Sequence, residues 1–436
     1  MSITIEPVDH VLARLRVPGD KSISHRALIL NAIARGRARV TNLAPGDDVA
    51  ATLEALRALG VGIERPSPGT ALVRGGGGWR AAPIDCRNSA TTARLLLGLL
   101  AARTEAMATL TGDGSLRRRP MRRVVDPLRA MGAAIEERGE AGRLPLAVTG
   151  RQLAGRAHRL EVASAQVKSA LLLAGLGAEG ETSIEEPAIS RDHTERMLAA
   201  MGAQVNREEE GASRVHLRPG PLEGMDVDVP GDLSSAAPFL VLAASSPGGA
   251  IVAEDVGLNP TRSGLLTILR RMGAEVATEL KATGPEPRGT IRVAGERLVG
   301  VEIAGDEVPR AIDELPLVAV LATQAQGVTR VAGAGELRVK ESDRIEAITT
   351  GLRAMGARIE ATDTGFEVEG PTRLRGCALD AAGDHRIAIA LAVAARLARG
   401  PSRLEGAEWV VISYPDFFED LARTGGESPR PAGAGT

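Results

Sequence analysis

Two short segments of this chain carry the residue types that proton transfer needs. AIDELP (Ala311–Pro316) offers Asp313 and Glu314, and RVKESDR (Arg338–Arg344) sets Glu341 beside Lys340 and three residues before Arg344. A carboxyl group can give or take a proton at a reacting atom when it is held in place. Glu314 also has a plainer use, pairing with a neighbouring helix start. Around these acids the chain repeatedly puts cations where helices should begin. PGDKSISHR (Pro18–Arg26) places Lys21 and Arg26 about a Ser/Asp-capped start, and NSATTAR (Asn88–Arg94) opens a helix with small residues whose backbone amides can approach a ligand. RRRPMRR (Arg117–Arg123) sets three arginines before Pro120, a favoured first helical position. SAQVKS (Ser164–Ser169), RVKESDR and DHR (Asp384–Arg386) repeat the arrangement. A helix N-terminus is the positive end of its dipole, so Lys and Arg there are unfavourable unless an anion is present. One such site reads as a solvated, salt-bridging face. Six on equivalent loops predict a cleft that collects small polyanions, with arginine forks matched to phosphate and carboxylate.

The elements that must position these residues form a repeat. A helical pattern ending in Leu/Met-Gly recurs as LRALGVGIE at Gly60, LRAMGAAIE at Gly132, LAAMGAQVN at Gly202, LRRMGAEVA at Gly273 and LRAMGARIE at Gly356. A weaker sixth copy, FEDLARTGG, ends at Gly425, and the spacings are 72, 70, 71, 83 and 69 residues. Each glycine stands where a left-handed residue closes a helix before an alternating, strand-like run. A second, more uniformly apolar helix accompanies each copy: Ser24–Arg35, Thr91–Ala102, Ala165–Leu176, Ser234–Ala244, Glu314–Gln324 and His385–Ala398. Their apolar residues cover more than one face, which predicts burial. Short alternating runs such as Arg39–Leu43 and Thr182–Glu186 separate the helices. VPGDKS (Val17–Ser22) returns as VPGDLS (Val229–Ser234), 229 − 17 = 212 residues on, which is three units. Two domains of three units each follow. A scaffold solenoid is disfavoured, because units of this length are long for one and the loops carry charged clusters a scaffold does not need.

Composition excludes several alternatives. With 53 basic against 55 acidic residues the net charge is −2, and only seven residues of 436 are aromatic, so recognition of nucleic acid by basic excess or ring stacking is disfavoured. Hydrophobic residues make up 44%, enough for a large core. Cys86 and Cys377 are the only cysteines, the six histidines show no metal-ligand spacing, and neither G-x-S-x-G nor a Walker loop occurs. Met1–Ile5 is too polar for a signal peptide, and Leu95–Ala102 is too short to span a bilayer, so the expectation is a soluble cytoplasmic protein. The 51 glycines exceed the usual share of about 7%. Gly75–Gly78 reads as a turn before a strand, and Glu427–Thr436 as a disordered tail.

At the residues quoted above the sequence resembles the 5-enolpyruvylshikimate-3-phosphate synthase family, from about Ile5 to Leu421. PGDKSISHRALIL, the RPM segment, SAQVKSALLLAG, SRDHTERML, LRVKESDR and DHRIA occur in that family's order, and the details look closest to its bacterial class II branch. The resemblance implies an α/β fold of two inverse α/β domains, each of three βαβαββ units. It places residues 1–17 plus 231–436 in one domain and 18–230 in the other, with substrates in the cleft between them. It implies transfer of the enolpyruvyl group of phosphoenolpyruvate to the 5-hydroxyl of shikimate 3-phosphate, with release of phosphate and no metal or organic cofactor. Shikimate 3-phosphate would meet Lys21, Ser22, Arg26, Ser164, Ala165, Gln166, Arg191, Asp313 and Lys340. Phosphoenolpyruvate would meet Lys21, Ala90, Arg119, Gln166, Arg344 and Arg386. Glu341 is the candidate acid for the methylene carbon, Asp313 the candidate base for the hydroxyl, and Lys21 assists both. The expected partners are these two small molecules alone, on a monomer, without nucleic acid or membrane.

Two departures matter. The family's glyphosate-sensitive members carry glycine where this chain has Ala90, which implies a crowded phosphoenolpyruvate pocket and glyphosate tolerance. Many members place a lysine three residues before the proline of SYPDFF, where this chain has Ile412. The rival enzyme is UDP-N-acetylglucosamine enolpyruvyl transferase, whose members usually carry cysteine in the loop before the Arg-Pro segment. Gly112–Arg119 has none, although some members use Asp there, and PGDKSISHR is the better discriminator. A non-catalytic repeat protein that binds phosphorylated ligands is the rival from another class, and Lys21, Asp313 and Glu341 together speak against it.

Overall fold

Residues 1–208 and 213–425 are described by a computed structural model, and Glu427–Thr436 lies outside them. Within them the repeat takes a definite form, seen in the segment 82–149. Strand Ala82–Asp85 leads into helix Ala90–Ala101, strand Met107–Thr111, helix Arg122–Ala130 and the antiparallel strands Ala134–Glu137 and Leu146–Thr149. The first two strands run parallel, as a helical crossover requires, and the last strand pairs antiparallel with both the second and the third. Helix Ala90–Ala101 starts where Ser89 accepts a hydrogen bond from the Thr92 amide (3.2 Å). Its leucines 95, 96, 97, 99 and 100 are all buried, each adding about 1.5–3 kcal/mol of apolar burial. Gly98 lets the helix lie against helix Ala165–Gly175, since a Cβ there would come within 2.1 Å of the Ala170 carbonyl oxygen.

The same order of strands recurs in four more sheets. They centre on Arg37–Thr41, Thr182–Glu186, Ala250–Gly257 and Gly327–Val331. Two of them borrow their first strand from far along the chain: Val227–Asp228 joins Arg37–Thr41, and Leu12–Arg16 joins Ala250–Gly257. The sixth sheet departs from the expected pattern. It has three strands, Ala378–Asp380, Ser402–Glu405 and the N-terminal Ser2–Ile5, the last standing where the other units place their own final strand. The glycines that close the first five helices have φ between 93° and 102° (Gly60, Gly132, Gly202, Gly273, Gly356), but Gly425 is not left-handed, so the sixth copy lacks that closure.

The chain divides into two compact units, residues 1–18 with 231 onward, and residues 19–230. Each has its own apolar core. In the first, helix Leu233–Ser245 is buried along its whole length, and Phe239, Tyr414, Phe417 and Phe418 pack with ring centroids 5.2–6.2 Å apart. SYPDFF is therefore largely a core motif, and Ile412 is buried at the end of the 3-10 helix Ala407–Ile412. No helix among the described residues is long and apolar enough to cross a membrane.

Candidate active site

In the unit of residues 19–230, helix Lys21–Ile33 starts three residues before the expected Ser24, because Asp20 caps it by accepting from the Ile23 amide (2.9 Å). Lys21 thereby becomes the first helical residue. Its Nζ donates to Asp48 Oδ2 at 2.7 Å, from the first turn of helix Asp47–Ala58. One turn on, Arg26 is almost fully buried and donates to the Ser22 carbonyl (2.9 Å), Thr194 Oγ1 (2.7 Å) and Ser169 Oγ (2.7 Å). Between these cations lies His25, whose Nδ1 is 2.7 Å from Thr52 Oγ1. Burial, reinforced by the charges of Lys21 and Arg26, holds the imidazole well below its ordinary range, so it is neutral at pH 7 and adds no third positive charge.

Ser164 caps helix Ala165–Gly175, and Gln166 on its first turn is fixed at both ends of its amide. Its Oε1 accepts from Arg94 Nη1, and its Nε2 donates to Thr91 Oγ1 (2.9 Å). Arg94 also donates to the Pro120 carbonyl (3.2 Å), tying Gln166 to the helix that begins at Ala90 and to the Arg119–Pro120 link. Arg119 donates to Asn88 Oδ1 (2.9 Å), and Asn88 in turn donates to Asp113 (2.8 Å). Ala90, the first residue of its helix, is buried. Arg191 is half-buried in the link before helix His193–Ala200.

In the other unit one guanidinium gathers three carboxylates. Arg344, first residue of helix Arg344–Ala354, is 2% exposed and donates to Asp384 Oδ2 (2.8 Å), Glu341 Oε2 (2.6 Å) and Asp313 Oδ1 (3.3 Å). Burial opposes its charge, but Asp384, Glu341 and Asp313 outweigh that and raise its pKa further, so it is a permanent cation. Asp384 also caps helix His385–Arg396 by accepting from the Arg386 amide (2.8 Å), which joins Arg386 to the same cluster. Lys340 is half-buried and immediately precedes Glu341. Beside Asp313, Glu314 is wholly buried against Arg262 (3.0 Å to each oxygen) and accepts from Ser234, in the first turn of helix Leu233–Ser245, so it pairs with a helix start.

Three readings of the basic segments need correction. Pro120 is not a first helical residue: Arg117 and Arg118 end the short helix Gly114–Arg118, Arg119 caps it, and Pro120 lies in the link before helix Arg122–Ala130. Asp113 preorganises that short helix by accepting from the Leu116 amide (2.7 Å). Lys168 of SAQVKS is fully buried, with Nζ 2.6 Å from Glu186 Oε2 and 2.8 Å from Glu195 Oε1, so it serves the fold. Arg338 is spent on the Thr362 and Asp363 carbonyls and on Asp343.

Residues 5–421 match the family described as EPSP synthase (3-phosphoshikimate 1-carboxyvinyltransferase). This chain belongs to that family. The 3-phosphoshikimate 1-carboxyvinyltransferase of Synechocystis sp. is 47% identical over 430 residues, covering 97% of this chain and 96% of the relative. That of Geobacillus kaustophilus is 48% identical over 422 residues, covering 95% and 98%. Among solved structures, an EPSP synthase from Acinetobacter baumannii superposes with a TM-score of 0.86 at 43% identity, over 97% of this chain and 98% of that one. The enolpyruvyl transferase NikO from Streptomyces tendae shares the fold, with a TM-score of 0.79 at 20% identity and 97% of each chain covered. The expected two-domain inverse α/β architecture is that of these neighbours.

Sequence reasoning missed the partners that hold these residues. Asp48, Asn88, Arg94, Ser169, Thr194 and Asp384 each bind a candidate residue from 27 to 168 positions away. Asn88, Arg94, Ser169, Thr194 and Asp384 stand inside the motifs NSATTAR, SAQVKS, SRDHTERML and DHR, whereas Asp48 carried no such signal.

Proposed function

We propose that this chain transfers the enolpyruvyl group of phosphoenolpyruvate to the 5-hydroxyl of shikimate 3-phosphate by addition and elimination. Glu341 protonates the methylene carbon, which puts cationic character on C2. The 5-hydroxyl attacks C2 and gives its proton to Asp313, forming a tetrahedral ketal phosphate. Phosphate then leaves with its bonding electron pair and the proton that Asp313 took, and the Glu341 carboxylate takes back a methyl proton, which restores the double bond. The product is the enol ether, and atoms balance with phosphate as the leaving group. Arg344 orients both acids, because one immobile guanidinium bonds Glu341 and Asp313 together. That shared anchor is the observation that carries the reading. Lys21, Ser22, Arg26, Ser164, Ala165, Gln166, Arg191, Asp313 and Lys340 are assigned to shikimate 3-phosphate. Lys21, Ala90, Arg119, Gln166, Arg344 and Arg386 are assigned to phosphoenolpyruvate. Orientation of two bound reactants supplies up to roughly 7–11 kcal/mol of the barrier.

The decisive test is phosphate release with both substrates present, repeated with each omitted. Release requires both. Release without shikimate 3-phosphate, or with UDP-N-acetylglucosamine in its place, overturns the assignment.

We further read the chain as a class II-like, glyphosate-tolerant, cytoplasmic enzyme acting as a monomer. Ala90 supports tolerance: its buried methyl, at a helix start assigned to phosphoenolpyruvate, narrows the space that an inhibitor longer than the substrate needs. Ala90→Gly lowers the glyphosate concentration for half-inhibition roughly tenfold, the scale of relieving one overpacked methyl. Unchanged inhibition by Ala90→Gly would remove Ala90 as the determinant.

A further inference from the structure

Arg26 is held by a pair of hydroxyls that the reaction itself does not use. Its Nε donates to Thr194 Oγ1 and its Nη2 to Ser169 Oγ, each at 2.7 Å, and the two hydroxyl oxygens lie 2.6 Å apart. Together they occupy the Nε/Nη2 edge of the guanidinium, an edge that elsewhere grips a carboxylate. Counting hydrogens fixes the direction of each bond. The single Ser169 hydroxyl hydrogen goes to the Ala165 carbonyl (2.6 Å). The Ser169–Thr194 bond is therefore donated by Thr194, and both oxygens turn lone pairs toward Arg26. The plane of the guanidinium follows from the positions of these two oxygens.

Those positions cannot drift. One residue before Ser169, Lys168 reaches Glu195, one residue after Thr194, at 2.8 Å, and Glu186 at 2.6 Å, all of them buried. Helices Ala165–Gly175 and His193–Ala200 are thus joined twice, by a hydroxyl pair and by an ion pair one residue away. Arg26 arrives from a third helix, Lys21–Ile33, and the hydroxyl pair aligns it with both.

We propose that Thr194 and Ser169 are positioning residues for substrate selection, setting the affinity for shikimate 3-phosphate through the plane of Arg26 while leaving that for phosphoenolpyruvate alone. The inference rests on the assignment of Arg26 to the ring substrate. Neither hydroxyl need touch that substrate.

Thr194→Val keeps the branched shape and deletes the acceptor. It raises KM for shikimate 3-phosphate about tenfold, as loss of one charge-assisted hydrogen bond does. KM for phosphoenolpyruvate and kcat stay within about twofold, a split that general loosening of the fold does not produce. Ser169→Ala gives the same pattern, and Thr194→Ser, which restores an acceptor, returns KM toward the parent value. Arg26→Lys is measured alongside. A raised KM for Arg26→Lys with none for Thr194→Val overturns the positioning role and spares the Arg26 assignment. No change for either overturns both, and equal changes in both KM values overturn the selectivity.

Discussion

Glu341→Gln lowers kcat by about 10²–10⁴-fold, the range that one positioned general acid contributes. The amide oxygen of glutamine can still accept from Arg344 Nη2, whose bond to Glu341 Oε2 is 2.6 Å, so the anchor survives and only the transferable proton is lost. Both KM values therefore stay within a few fold, and kcat and kcat/KM fall together, the signature of a group acting in the transition state. Steady-state rates with each substrate varied would check this. A fall of less than tenfold assigns the proton to another group. Arg344 makes the measurement interpretable, because it carries three carboxylates and a substitution that dislodged it would disturb Asp313 and Asp384 as well.

Lys168→Met destabilises the unit of residues 19–230 by about 3–5 kcal/mol, because it leaves Glu186 and Glu195 buried without their cation. At about 2–4 °C per kcal/mol, the thermal midpoint drops by roughly 6–20 °C. Burial alone would push the lysine pKa down, but Glu195 and Glu186 reverse that and raise it. A cation whose folded pKa is raised stabilises at every pH below the ordinary lysine range. Its contribution is lost only as pH climbs through the raised value. The parent protein therefore keeps this contribution from neutral to mildly alkaline pH, and the Lys168→Met deficit is full across that span. Replacing Glu186 and Glu195 with Gln in the Lys168→Met background recovers part of the midpoint. Thermal melts at pH 7 and pH 9 would check both claims, and a drop of less than about 2 °C at pH 7 sinks the account.

The repeat was legible because it is written in local chemistry: a glycine that closes a helix, a serine or aspartate that opens one, and a spacing near 70 residues. The first five closing glycines bear this out in their backbone angles. The sixth unit was the weakest in its letters, and FEDLARTGG indeed shares the pattern without the left-handed glycine, while its sheet takes its last strand from the other end of the chain. The cations were legible as a class, but two of them, Lys168 and Arg338, serve the fold. Lys168 and Gln166 stand two residues apart on one helix, yet one is wholly buried against carboxylates and the other is held at its first turn by Arg94. Nothing in SAQVKS separates them, because what decides is Glu186 and Glu195, and sequence spacing carries no record of pairs formed across a fold. Arg338 and Arg344 differ for the same reason.

The borrowed strands also set an order of events during biosynthesis. Residues 19–230 form one uninterrupted stretch, and their sheets are complete once Val227–Asp228 has emerged. Residues 1–18 are made before that stretch yet settle after it. Leu12–Arg16 has no partner until Ala250–Gly257 is translated, 257 − 16 = 241 residues later, and Ser2–Ile5 waits for Ser402–Glu405. At about 5–20 residues per second the first delay is roughly 12–48 s. During that time the nascent chain trails an unpaired β-strand, a segment open to chaperones and proteases until its partner is made.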